Sequence, residues 1–367
     1  MKKLGKILYG MTMLAGGFLF GVYIIPFLRA HSSPQEIALT LIALVAFYQL
    51  HILLHETGHL IAGKRSGYTF ISFRVYNFML IRQNGRLVRK KFSVVGTAGQ
   101  CLMSPPEMKD GKFPVLLYNL GGSLMNFLVS AVCFGLFWTL PTPWSVPFLV
   151  GAILGVFMGL FNLIPLKLNG VANDGYNALL LKRKGNEIAQ RALWTGLRAY
   201  AAQASGTRAR DLPPEWFEWV DLNNITDPIL ASVAILRYNY LCDKGDLDEA
   251  RAFISTLLES NAKLLEVQKN ELRCELLFYE LIRECREEEI NRLYTKELQD
   301  YIQATSIYPS RQRLLYAHAR LAKHDPTLAA KYLALFQTAI QKSAVLGEIP
   351  GEEELVALVD TIAEQRQ

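Results

Sequence analysis

Residues 55–59 read His-Glu-Thr-Gly-His. Two histidines four positions apart on a helix project from one face, within reach of one metal ion, and the glutamate follows the first histidine directly. In water this pattern holds zinc through two imidazoles, while the carboxylate takes a proton from the attacking water in peptide hydrolysis. Here the motif closes a stretch that reads as a membrane span: from Ile37 to Gly63 the only formally charged side chain is Glu56. Ionisable groups at the centre of a bilayer cost about 2.5 kcal/mol or more each and are retained where they have a task. A structural pair of histidines in a polar pocket is the plain alternative, and that cost argues against it. The motif points to hydrolytic chemistry inside a membrane.

A catalytic zinc usually takes three protein ligands and keeps one position for water. Besides Glu56, residues 37–186 offer few acids, and between Asp110 and Glu187 Asp174 is the only one. It stands in Asn173-Asp174-Gly175, after an apolar stretch that begins a new approach to the same membrane face. Asp174 is the candidate third ligand, with an ordinary Asp-Gly surface turn as the alternative. Its neighbour Asn173 carries no ligand role in this reading, and its loss should matter much less. Asn126 ends Gly121-Gly122-Ser123-Leu124-Met125-Asn126, inside another apolar stretch. It reads as a hydrogen-bond donor to the substrate backbone or the oxyanion, or as glue between helices.

Four stretches are long enough to cross a bilayer, which takes roughly 20 apolar residues: 7–28, 37–63, 113–140 and 144–166. The last two are joined by Pro141-Thr142-Pro143 and form a tight helical hairpin. Lys2, Lys3 and Lys6 precede the first span, and eight Lys and Arg residues from Lys64 to Lys91 follow the second. Lys167 and Lys182-Arg183-Lys184 follow the fourth. Positive charge marks the cytoplasmic side, so both termini are expected there, in the cell membrane of a bacterium. A cleaved signal peptide is the competing reading of the first 30 residues; the apolar run is longer than such a segment needs, with no Ala-x-Ala site before Ser32.

The second half of the chain is of another kind. Residues 1–184 carry 18 Lys and Arg against 5 Asp and Glu, and residues 185–367 carry 21 against 28. The basic surplus lies beside the apolar spans, where it sets topology, so the overall charge gives no reason to expect nucleic acid. The division reads as a transmembrane domain at 1–184, a linker at 185–225 around Leu212-Pro213-Pro214, and a soluble helical domain at 226–367. In the last, Lys244-Gly245-Asp246 separates two amphipathic helices, a tetratricopeptide-like unit. Such a tail is expected to bind a cytosolic protein or a substrate tail. Five widely spaced cysteines without a CxxC pair read as reduced packing residues. Between the second and third spans, 68–95 alternates and carries Asn84-Gly85, the mark of a β-hairpin. That hairpin is either ordinary structure or a strand edge that pairs with an unfolded substrate. The expected fold is thus an all-α polytopic membrane domain of four helices with a small cytoplasmic β-hairpin, plus the helical domain.

Three elements together, His55-Glu56-Thr57-Gly58-His59, the small-residue motif ending in Asn126, and Asn162-Leu163-Ile164-Pro165 followed by Asp174-Gly175, resemble the site-2 protease family of intramembrane zinc metalloproteases. The resemblance covers about residues 37–180. It implies zinc bound by His55, His59 and Asp174, with Glu56 activating water. It also implies substrates that are membrane-spanning or membrane-attached proteins or peptides, cut in contact with lipid. Two features depart from the family pattern: nine positions separate Pro165 from Asp174, a longer run than many members have, and no PDZ-like insertion is visible. A non-proteolytic membrane scaffold acting through the helical tail is the alternative from a different class, and an ion transporter is a third; four spans without an internal repeat disfavour the latter.

Overall fold

The computed structural model describes residues 33–91, 97–168, 171–182 and 186–366. The expected first span at 7–28 lies outside them. The chain divides into two compact units, one ending at Gln190 and one beginning at Arg191, with Leu80–Phe92 counted in the second. The structure is mostly helical, with a small antiparallel sheet.

Three helices of the first unit are long and apolar enough to cross a membrane: α1 (Pro34–Arg65), α2 (Leu116–Thr139) and α3 (Val146–Leu163). The start of α1 is fixed locally. Ser33 and Glu36 form a reciprocal capping box, Pro34 fills the first turn, and Lys64 and Arg65 complement the dipole at the far end. At 1.5 Å per residue its 32 residues span roughly 48 Å, well beyond the roughly 30 Å hydrocarbon core.

The packing of these helices is inverted relative to a water-soluble bundle. Leu41, Ile42, Val45, Leu124, Leu128 and Trp138 are exposed, whereas His51, His55, Glu56, His59, Ser123, Asn126 and Ser130 are buried. Small residues permit that burial. Gly58 and Gly121 face each other so closely that a methyl on either would collide with the other's carbonyl oxygen. Backbones that meet in this way leave apolar side chains outward and polar ones inward.

Between α1 and α2 the chain forms β1 (Thr69–Val75), β2 (Phe78–Gln83), β3 (Arg86–Lys91) and β4 (Gly99–Ser104), in sheet order β3-β2-β1-β4. Asn84 and Gly85 both take positive φ, as a two-residue hairpin turn requires. The expected hairpin is present, and β4 extends it into a sheet. After α3 come two short paired strands, β5 (Lys167–Leu168) and β6 (Val171–Ala172), then α4 (Asp174–Lys182). This small hairpin absorbs the long run after Pro165: Asn173 N–H returns to Leu166 O at 3.0 Å.

The division at Gln190 falls within α5 (Glu187–Ala204), and helices α6 (Pro228–Lys244) and α7 (Leu247–Glu259) follow in the second unit. Gly245 ends α6 at φ +87°, and the Gly245 and Asp246 amides return to Cys242 and Leu241 carbonyls, a Schellman motif. Helices α8 (Glu266–Ile282) to α13 (Ile349–Gln365) follow. The five cysteines are free thiols.

The segment read as a linker is a correction. Ala192, Ala199, Leu212, Phe217, Val220 and Ile225 belong to the same core as α6–α8. Pro213 and Pro214 do not loosen the chain; they start a 3-10 turn (Pro214–Trp216) that sets Phe217 into that core. Burying side chains such as Leu212, Phe217, Val220 and Ile225 contributes about 1.5–3 kcal/mol each. A fragment of residues 226–367 is therefore expected to be several kcal/mol less stable than one of residues 187–367. Urea melts of the two check this; equal midpoints and slopes would restore the linker.

Candidate metal centre

Along one face of α1, residues 51, 55 and 59 meet α2 and α3 in successive turns. His55 and His59 rings stand edge to face, 4.8 Å apart. Asp174, the first residue of α4, comes to both. His55 Nε2 and His59 Nε2 lie 3.1 and 3.2 Å from Asp174 Oδ2 and 3.1 Å from each other. The three atoms form a nearly equilateral triangle. Four donors set tetrahedrally around zinc at about 2.0–2.1 Å are separated by roughly 3.3 Å, so the triangle has the size of one face of such a tetrahedron. The donor set fits a divalent ion with one position left open. Among the described residues, this is the one group of three or more such side chains close enough to hold a metal.

The backs of the imidazoles are tied as well. His59 Nδ1 donates to Tyr118 O at 2.7 Å. That bond leaves Nε2 as the lone-pair nitrogen, the one turned to Asp174. His55 Nδ1 lies 3.1 Å from the Asn126 side-chain amide. Asn126 is thus fully buried behind a candidate ligand, with its amide against the His55 ring.

Gly122 presses α2 onto the donors. A methyl there would lie 2.6 Å from His59 Nε2 and closer still to His55 Nε2. Gly122→Ala is therefore expected to cost metal affinity at least tenfold in a chain that still folds. Equilibrium competition with a chelator checks this, and an unchanged affinity would contradict the geometry.

Asn173 is the residue that sequence reading undervalued. Its Oδ1 accepts from Leu166 N–H and Tyr176 N–H, both at 3.0 Å. Its Nδ2 donates to Phe161 O at 2.8 Å and Ile164 O at 2.7 Å. It caps α4 while satisfying carbonyls where α3 ends, and so fixes where Asp174 starts. The signal was present: Asn immediately before an acidic first turn is a helix N-cap. Asn162, by contrast, bonds back to Met158 O within its own helix.

Glu56 is buried outside the triangle, against β4. A methyl on Gly99 would collide with its carboxylate. The buried cation Arg74 on β1, bonded to Tyr76 O at 2.9 Å, interacts with it electrostatically. The strand beside the site is therefore β4, a sheet edge that lies beyond the hairpin. Its outward groups follow from register. Tyr76 N–H bonds Ala98 O at 2.7 Å, and Arg74 faces Gln100. In the alternating antiparallel pattern, Gly99 and Cys101 then turn their N–H and C=O away from β1. The Cys101 carbonyl accepts the Tyr118 hydroxyl at 2.6 Å.

No family model, curated protein or solved structure matches this chain. The functional reading stands on these residues and their geometry.

Proposed function

We propose that the protein is an intramembrane zinc metalloprotease that hydrolyses peptide bonds of membrane-spanning or membrane-attached proteins or peptides. The observation that supports it most is the His55–His59–Asp174 triangle with a separate carboxylate, Glu56, buried next to it. Two neutral imidazoles and one carboxylate would hold zinc with a net charge of +1. Bound there, zinc supplies Lewis acidity toward the scissile carbonyl and the attacking water.

The chain's own groups do the rest. Glu56 accepts the proton of the attacking water and passes it to the leaving amine. A helical substrate hides its carbonyls in internal hydrogen bonds, so cleavage requires an unwound segment. The outward N–H and C=O of Gly99 on β4 give such a segment backbone partners beside Glu56. A first span at 7–28 completes a four-span topology with both termini in the cytoplasm, which places His59 and Asp174 near the side where water enters. The second unit, a tetratricopeptide-like helical tail, recruits a cytosolic protein or a substrate tail.

The test is cleavage of a single-span substrate by the purified chain in lipid vesicles. Activity lost to a chelator and restored by stoichiometric zinc is the expected result; turnover indifferent to chelation in a metal-free preparation would refute the proposal.

A further inference from the structure

Behind the triangle, among the described residues, His51 Nδ1, Ser123 Oγ and Asn126 Oδ1 are buried atoms without a hydrogen-bond partner. His51 stands one turn before His55 on the same face of α1 and is 0% exposed. Its Nε2 lies 2.9 Å from Gly151 O on α3. A carbonyl only accepts, so Nε2 carries the proton and Nδ1 is left as a lone pair. The ring lies where a methyl on Gly155 would collide with both His51 Cε1 and Ser130 Oγ. Ser130 in turn donates to Asn126 O at 2.8 Å. His51 lies one turn from His55 along α1 and Ser130 one turn from Asn126 along α2, so the layer of His51 and Ser130 stacks on the layer of His55 and Asn126 in the interface between α1, α2 and α3.

The polarity of the hydrogen bonds narrows what can fill that stretch. This step rests on the metal reading above. A histidine that gives Nε2 to a metal carries its proton on Nδ1 and must donate there. Asn126 then has to turn its oxygen to His55; the two ends of an amide have the same shape and are assigned by their partners. The amide nitrogen is left with N–H groups to give, on the side where an acceptor was unpaired. His51 Nδ1 offers a lone pair. Water accepts from the first and donates to the second, and buried water is the ordinary solution for such pairs of atoms.

We propose that His55, Asn126, internal water and His51 form one directional hydrogen-bond chain that ends on the Gly151 carbonyl, which makes His51 a positioning residue for the metal ligand His55. Each member donates to the next, so a single reversed group breaks the order. Partners of this kind typically change metal affinity 10- to 100-fold when removed.

The experiment is zinc affinity by chelator competition, on the full chain in detergent, for wild type, His51→Asn, His51→Gln and His51→Leu. Asn places an oxygen acceptor where Nδ1 stood, whereas Gln reaches the Nε2 position and keeps only the bond to Gly151. Expected are losses of about tenfold or more for Leu and Gln, and recovery to within about threefold for Asn. Gln equal to wild type would reduce His51 to a bolt between helices and overturn the chain; so would wild-type affinity in all three. Asn126→Leu separates a folding defect from the proposed role. Its side chain neither accepts from His55 nor meets the water, so His51→Leu should cost less than about threefold in that background. An undiminished cost there would overturn the chain. Wild type without zinc affinity would instead sink the metal reading beneath it.

Discussion

Glu56→Gln is expected to keep its zinc and lose peptide hydrolysis by at least about 100-fold, the range associated with removing a positioned general base. The two effects separate because Glu56 is not one of the three clustered donors. Its carboxylate faces Gly99 on β4 and lies in the field of Arg74. Gln matches the shape of Glu and preserves the contact with the strand, but cannot take a proton from water. Metal content and turnover, measured on one preparation, check both halves. Residual activity above a tenth of wild type would place the base elsewhere, and loss of zinc would make Glu56 a ligand.

Asp174→Ala is expected to lower zinc affinity at least about 100-fold and to abolish hydrolysis. Removing the carboxylate takes away one corner of the triangle and leaves a +2 ion on two neutral imidazoles in an apolar interior, where uncompensated charge is costly. A carboxylate in a surface turn would cost less than about half a kcal/mol on removal. The structure also changes the expectation for its neighbour. Asn173 makes four hydrogen bonds, three to the end of α3 and the residues just after it and one to the first turn of α4. Asn173→Ala should therefore lower zinc affinity about tenfold, since α4 loses its cap and Asp174 its fixed starting point. Asn173→Asp retains the cap to Tyr176 but not the donors to α3, and should fall between. If Asn173→Ala binds zinc as tightly as wild type, the position of Asp174 is set by something other than this clamp.

The parts of the site that were legible in the sequence are those whose geometry is local. His55, Glu56 and His59 share one helical turn, so their spacing already fixes which face they occupy. Asp174 was legible for a different reason: an acid so isolated among apolar residues needs a partner. Its route to the histidines was not readable, because the run after Pro165 folds back through β5 and β6, and that return depends on the Asn173 contacts. The sheet was half legible. Alternation and Asn84-Gly85 announced β1 to β3, but Gly99-Gln100-Cys101-Leu102-Met103-Ser104 begins with glycine and lacks alternation. It becomes a strand by pairing with β1. The Pro213-Pro214 segment misled for a related reason. Proline pairs mark chain breaks in isolation, and only tertiary contact shows that Leu212 and Phe217 are held in a core. Asn126 was legible as an important buried amide. Its direction, toward His55 Nδ1, came only from packing.

The central claim, that His55, His59 and Asp174 hold one catalytic metal, is tested most directly by metal analysis of the purified full chain beside the His55→Ala/His59→Ala double variant. The account predicts one zinc per wild-type chain and none in the variant, with both proteins giving the same helical circular dichroism. Equal zinc in the two, or none in wild type prepared with zinc present, would contradict it.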